Sequence, residues 1–499
     1  VRAVLVAPGF PTSLSDHHKP FLADHARALA GAGVEVTVVC PAHPDAPRRH
    51  EVGDVEVHRV RFAPRRIEAR VALGESYRVF SGLSALWVIP MIAQLTLAAA
   101  RQARRRSDHS LGTAESCADA ASGTSSGGSV GDGAVIHGHW WFPCGLVAVA
   151  AAAVAGRRVA SVVHIHGSDA AVTTNAVHRW LARRVLRCAG AVVTVSEDLS
   201  SWASSLIQRH RRLHPQSRAD TARSESPQPR VLRLLPALEA ERHGEAVARA
   251  AREPVSDEDG EQERETTGDA ARRWAIPRAP LGRAGRRSGP VTRVVSMPVA
   301  VDRLGPATPT PTDGPVVALG RLMAEKGFDV LIEAVALMDA ARRPEVVIVG
   351  DGPDRALLEA LALRRGVNVE LAGAVPPGEI GEWYRQARLV CVPSRREGFG
   401  MVVAEALAAG RPVVASAVGA APAFIVDGVN GFLEPPDDAE ALSTALTAAL
   451  ESDLAASVST SAVALAPFSP QAHAAALLEI YASVTATVID DSGVQTQTP

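Results

Sequence analysis

Apolar positions recur along this chain in two rhythms, continuous short runs and helical stripes. The run RAVLVAP, from Arg2 to Pro8, ends on Pro8 and Gly9 and predicts a strand buried on both faces. Leu22, Ala26, Leu29 and Ala30 follow at helical spacing and stop at Gly31 and Gly33. VEVTVVC, DVEVHRVRF, AVIHGH, VASVVHIH and GAVVTVS read as five further strands. After Pro298 the alternation starts again. PVVALG predicts a strand, and Phe328, Leu331, Val335 and Met338 form one helical face. PEVVIVG, VNVELAG, RLVCVPS and RPVVAS predict strands, separated by helices in PDRALLEALALRRG, GEIGEWYRQA and a stretch after Gly400. DAEALSTALTAALES closes the series as a helix. Strand–helix repetition of this kind predicts two α/β domains in series, each a doubly wound parallel sheet.

Two segments break the pattern. Residues 101–133 are rich in Gly and Ser and poor in large apolar side chains, and residues 201–292 are rich in Arg, Glu, Pro and Ser. Both predict disordered insertions within an N-terminal domain spanning 1–300. The acidic run Asp257–Asp259 lies in the second and reads as a solvated charge run rather than a metal site. A second domain spans 301–470, a helix over 471–485 is expected to pack back on the first domain, and 486–499 is expected to be a disordered tail. Phe80–Ala100 is apolar and precedes Arg101, Arg104, Arg105 and Arg106. It has three readings: a membrane span, a helix resting on an anionic membrane surface, and a helix buried against the sheet.

Composition narrows the class. With 499 residues, 47% hydrophobic and a formal net charge of −2, the chain is an ordinary globular protein with no global field for nucleic acid. Five scattered cysteines without CxxC spacing predict a reduced compartment and no disulfide framework. The opening VRAVLVAPGF is too short for a signal peptide. The expected location is cytoplasmic, peripheral at the membrane face if the apolar stretch lies on lipid. Of 52 basic residues only Lys19 and Lys326 are lysines, which makes both candidates for places where a compact ammonium is needed, with chance survival as the second reading.

Three strand-end loops of the second domain suit anions. ALGRLMAEKG turns at Gly320 and supplies Arg321 and Lys326, a fork and a point charge fit for a diphosphate. IVGDGPDR turns at Gly350 and Gly352. EGFGMVVAE carries Glu397, then Gly398 and Gly400, which let the backbone approach a ligand, and then a helix of about three turns whose N–H groups favour phosphate. Glu405 falls on the far side of that phosphate and Glu397 on the near side. The spacing suits a diphosphate with a hydroxylated ring at each end, that is, a sugar nucleotide.

GRLMAEKG, VGDGP, EGFGMVVAEALAAGRPVVAS and DGVNGFLEPPDD closely resemble the family-4 retaining glycosyltransferases of GT-B fold, from Gly314 to Ser483. The N-terminal half resembles them more loosely through VIHGHWWFPCG, VVHIHGSD and VVTVSEDL. The resemblance implies that Arg321 and Lys326 hold the donor diphosphate and stabilise it as it leaves, beside Gly320. It implies that Glu397 contacts hydroxyls of the transferred sugar, with backbone help from Gly398, Phe399 and Gly400. Glu405 would bind the ribose, and the backbone near Val375 would flank the base. His166 would approach the donor sugar, with a role as a loop cap as the second reading, and His139 would lie on the acceptor side, although His137, His139 and His164 alternate on strands and read as structural rather than catalytic residues. The family also implies a front-face route without cofactor or metal, in which a phosphate oxygen helps deprotonate the acceptor.

The chain departs from the family at two places. The first loop lacks a glycine pair and carries Lys19 instead, expected to contact the donor phosphate or an anionic acceptor. The usual GGxPE reads GAAPA, with Ala420 and Ala423 replacing Gly and Glu. The expected function is transfer of a hexosyl unit from a UDP- or GDP-sugar to a lipid, glycan or small-molecule hydroxyl. An epimerase on the same fold and a non-catalytic sugar-nucleotide-binding or scaffold protein are the alternatives.

Overall fold

A computed structural model describes residues 1–13, 16, 20–72, 82–105, 133–156, 158–171, 173, 175–208, 290–299, 301, 304, 308–452, 454 and 465–490. Lys19, the acidic run at 257–259 and Arg106 lie outside them.

The first sheet contains β1 (Arg2–Val6), β2 (Glu35–Pro41), β3 (Arg49–Val52), β4 (Val55–Val60), β5 (Ala134–His139), β6 (Val159–Ile165), β7 (Ala191–Thr194) and β8 (Val291–Val294). Its order is β3-β4-β2-β1-β5-β6-β7-β8, and every pairing is parallel except β3 with β4. The second sheet has β9 (Val316–Leu319), β10 (Val346–Val349), β11 (Val369–Gly373), β12 (Leu389–Val392), β13 (Val413–Ser416) and β14 (Gly431–Glu434). Its order is β11-β10-β9-β12-β13-β14, parallel throughout. Valine-rich runs fill the centre of both sheets because both faces are covered by helices, so alternation is not required.

Several expectations change. The segment 201–292 is not insertion at its ends: helix Glu197–Gln208 runs into it, burying Leu199, Ala203 and Leu206, and β8 occupies 291–294. Residues 101–104 end a helix, and the last helix runs Pro470–Asp490, past the expected tail boundary at 486. Phe80–Ala100 contributes to a 3-10 turn over Gly82–Trp87 and to helix Val88–Arg104, which packs on helix Leu146–Ala155 and on β1 and β2. Pro90 is tolerated in its first turn, where N–H groups have no helical partner anyway. Met91, Leu95, Ala99, Ala100 and Ala103 face the sheet, while Leu86, Ile89 and Leu97 stay exposed. Among the described residues no helix is long and apolar enough to cross a membrane.

Candidate active site

The loops after β9 and β12 meet. Gly320 leaves β9 at φ 151°, and Gly327 follows Lys326 at φ 67°, where a Cβ would stand 2.0 Å from the Pro393 carbonyl oxygen. Only glycine permits that approach. It brings Lys326 Nζ to 2.6 Å from Glu397 Oε1, which also accepts the Ser394 hydroxyl at 2.8 Å. Both side chains of the ion pair are largely shielded, 19% and 14% exposed. Arg321 is placed otherwise. It is exposed and its closest partner is Glu325 at 3.5 Å, so it stands at the rim.

Past Glu397 the chain turns through Gly400, at φ 91°, into helix Met401–Ala408. The helix has eight residues, shorter than the expected three turns. Glu405 faces inward, and its Oε2 accepts the buried Tyr384 hydroxyl at 2.9 Å. Burial, then the Glu405 charge, pushes the Tyr384 phenol well above its usual range, so it remains a donor that orients the carboxylate. Phe399 is buried and packs edge-on to Phe424 at 5.4 Å, so its backbone, not its ring, is available to a ligand. Val375 is half-buried beyond the end of β11. Gly419, at φ 63°, lies so close to Glu397 that a Cβ would come within 2.9 Å of the Glu397 Cβ.

The first domain contributes from β5 and β6. A Cβ on Gly167 would stand 2.5 Å from the Gly398 Cα, so the backbone just after His166 abuts the Glu397–Gly398 loop. The His166 N–H donates to Asp169 Oδ2 at 2.5 Å, and the Trp141 N–H donates to Oδ1 at 2.7 Å. Burial pushes the Asp169 carboxyl up to about 8, against the pull of those two N–H groups. The His166 ring lies 4.5 Å from Trp140 and 5.8 Å from Phe21. His139 is buried beside His166, with its Nδ1 3.1 Å from His166 Nε2.

His139 belongs to a buried cluster with His25, His137, His164, His166 and His473. His137 Nδ1 meets the Tyr481 hydroxyl at 2.6 Å and its Nε2 meets His164 Nδ1 at 3.2 Å. His473 Nε2 meets His25 Nδ1 at 2.9 Å, and its Nδ1 meets the Ser296 carbonyl at 2.7 Å. Burial above all holds these imidazoles neutral, pushing His137 and His166 down to about 3 and His473 to about 4. Two triads, His25–His137–His139 and His139–His164–His166, bring nitrogens within 4.8 Å of one another. Yet His137 and His139 are stacked 9° from parallel, and the second triad is within 27°. His25 stands 83° and 85° from His137 and His139, and N–N distances of 3.1 and 3.2 Å join the other rings edge to edge in a hydrogen-bonded cluster.

Tyr384, Ser394, Gly167, Gly419, Asp169, His25 and His473 were missed from sequence. Gly167 and Asp169 lie inside the HGSD motif already singled out. Tyr384, one of three tyrosines, sits in a helix whose inward face gave no chemical cue.

Residues 308–462 match the family model described as Glycosyl transferases group 1. A D-inositol 3-phosphate glycosyltransferase of Xylanimonas cellulosilytica is 38% identical over 192 residues, 37% of this chain and 45% of the relative. Another, of Saccharomonospora viridis, is 36% identical over 212 residues, covering 38% and 49%. The chain thus spans about half the length of these curated relatives. Sucrose-phosphate synthase from Thermosynechococcus elongatus shares the fold with a TM-score of 0.61 at 17% identity, covering 97% of this chain and 99% of that one. The Anabaena protein HepE, solved in complex with UDP and glucose, gives 0.58 at 16%, covering 96% and 98%.

Proposed function

We propose that this chain, a GT-B protein whose second domain is a group 1 glycosyltransferase domain, transfers a hexosyl unit from a nucleoside diphosphate sugar to an acceptor hydroxyl with retention and without a metal. The observation that carries this reading is the Lys326–Glu397 pair at 2.6 Å, shielded between two glycine-shaped loops. A donor entering there exchanges each partner: Lys326 meets the diphosphate, and Glu397 turns to sugar hydroxyls. Neutralising charge that develops on the leaving diphosphate is the larger catalytic effect, and Lys326, Arg321 and the N–H groups after Gly400 supply it. Glu405, oriented by Tyr384, accepts ribose hydroxyls, and the backbone near Val375 flanks the base. His166 is held neutral by burial, so it offers a hydrogen bond to the sugar rather than a charge.

The relatives and neighbours support a nucleotide-sugar donor. The exposed Leu86, Ile89 and Leu97, followed by Arg101, Arg104 and Arg105, support an acceptor at an anionic membrane surface. The test is nucleotide release from a panel of UDP- and GDP-sugars, with and without anionic vesicles, for the wild type, Glu397→Gln and Lys326→Ala. Release from one donor, reduced about 100-fold or more in each variant, is expected. No release and no binding of any donor overturns the reading.

A further inference from the structure

Arg395 lies two residues before Glu397 and reaches, from there, both sides of Lys326. Its Nη1 and Nη2 donate to Asp329 Oδ1 and Oδ2 at 2.8 and 2.7 Å, a two-point fork. Nη1 also donates to the Ala324 carbonyl at 2.6 Å, and its backbone N–H donates to the Glu325 carbonyl at 2.9 Å. Ala324 and Glu325 immediately precede Lys326, and Asp329 follows it by three residues in the first turn of helix Phe328–Leu337. Nε turns the other way, to Asp437 Oδ1 at 2.7 Å, in the loop after β14.

Asp437 is one of two non-glycine residues with positive φ among those described, at 66°. A residue kept in the left-handed region costs free energy that its surroundings must outweigh. Burial pushes the Asp329 carboxyl up, but the hydrogen bonds and charge of Arg395 outweigh it and hold the group below its ordinary range. As a source of stability this network is modest, because Asp437 is 64% and Asp329 44% exposed. Its effect is on geometry. Three loops from three strands are tied at one guanidinium, and the pair those loops carry closes to 2.6 Å.

We propose that Arg395 is a positioning residue of the donor site, holding Lys326 and Glu397 at the separation that receives diphosphate and sugar together. A lysine there would keep the charge and lose the fork. The inference rests on the donor-site reading of Lys326 and Glu397, but its test has a readout that needs no donor. The chain has only two lysines, so methylation of Lys326 can be followed alone by mass spectrometry.

In Arg395→Gln, Lys326 is expected to be methylated several-fold faster than in the wild type. Nucleotide-sugar turnover should fall by about 100-fold, the cost of misplacing reacting groups by about 1 Å. Affinity for the nucleoside monophosphate, held by Glu405 and the Val375 backbone, should stay within about twofold, which a general loosening of the domain would not allow. In a Lys326→Ala background the same substitution should cost little more, as expected of a residue acting through Lys326. Asp437→Gly, which relaxes the backbone as it removes one anchor, is the second variant and should shift methylation in the same direction. Unchanged Lys326 methylation in both variants, or equal loss of turnover in the Lys326→Ala background, overturns the proposal. A wild type that neither binds nor turns over any donor, with methylation faster in both variants, overturns the transferase reading and leaves the clamp standing.

Discussion

Trp140 is held at φ 65° and ψ 140°, a region costing a bulky side chain on the order of 1–3 kcal/mol. Its N–H donates to the His164 carbonyl at 2.8 Å, its carbonyl accepts the Gly145 N–H at 2.8 Å, and its indole N–H donates to Ser168 Oγ at 2.9 Å. What the strain secures is the ring against His166. Trp140→Gly removes the strain along with the ring, and the lost aromatic contacts are of similar size to the strain, about 0.5–1.5 kcal/mol beyond burial. The relieved strain offsets only part of the lost burial and contacts, so the melting temperature should fall by less than the loss of the ring alone would give, while turnover falls because His166 loses one wall. Trp140→Ala keeps the strain without the ring and should melt lower than Trp140→Gly, the reverse of the usual order. Calorimetry on the two variants decides it; a lower melting temperature for glycine would mean the backbone is not strained. At this scale the sequence was legible where charge sits in a glycine-flanked loop, as at Lys326 and Glu397, whose side chains meet at 2.6 Å. It was silent where backbone dihedrals decide, as at Trp140.

The elements were legible in proportion to their burial. Continuous apolar runs such as β1, β9 and β12 are unambiguous because both faces must be covered. The edge strand β3, with the sequence RHEV, has only one partner and a polar face, and it passed unnoticed. β8 was hidden by the Arg-rich composition leading into it, and β14 by its mixed sequence GFLE, which lacks a continuous apolar run. The last helix could be placed in sequence, but not the chemistry it brings. Through His473 and Tyr481 it reaches the imidazole stack under β5 and β6. Those six histidines have folded-state pKa values below the unfolded value near 6.5, so the unfolded chain binds more protons below that pH. Their contribution is fully present above about pH 6.5 and is lost as pH falls towards 4 and 3. Each titrating histidine adds up to about 1.4 kcal/mol per pH unit, against a typical domain stability of about 5–15 kcal/mol. Unfolding should therefore be steep and lie well above pH 4. Circular dichroism from pH 7.5 to 3.5 tests this. A transition that His473→Gln together with His25→Gln does not make shallower would remove the stack as its cause.

At the scale of the molecule, the loops of the two sheets touch at a glycine on each side of the candidate site. A side chain at either Gly167 or Gly398 would enter the other's backbone, with a Cβ 2.5 or 2.6 Å from its nearest atom. Real Cβ contacts are not that short, so the loops must separate. Gly167 lies outside the left-handed region, so alanine is locally acceptable there and the change acts on domain approach alone. That separation moves His166 away from Glu397 while leaving Lys326, Glu405 and the Val375 backbone in one domain. Nucleotide affinity should then be retained, whereas turnover, which needs groups from both domains, should fall about 100-fold per ångström of misplacement. Gly167→Ala is accordingly expected to bind free nucleotide like the wild type, melt at a similar temperature, and release almost none from a nucleotide sugar. Titration calorimetry with the nucleotide, beside the release assay, separates the outcomes. Full turnover in Gly167→Ala would mean that catalysis proceeds without this contact, and His166 would then have no part in it.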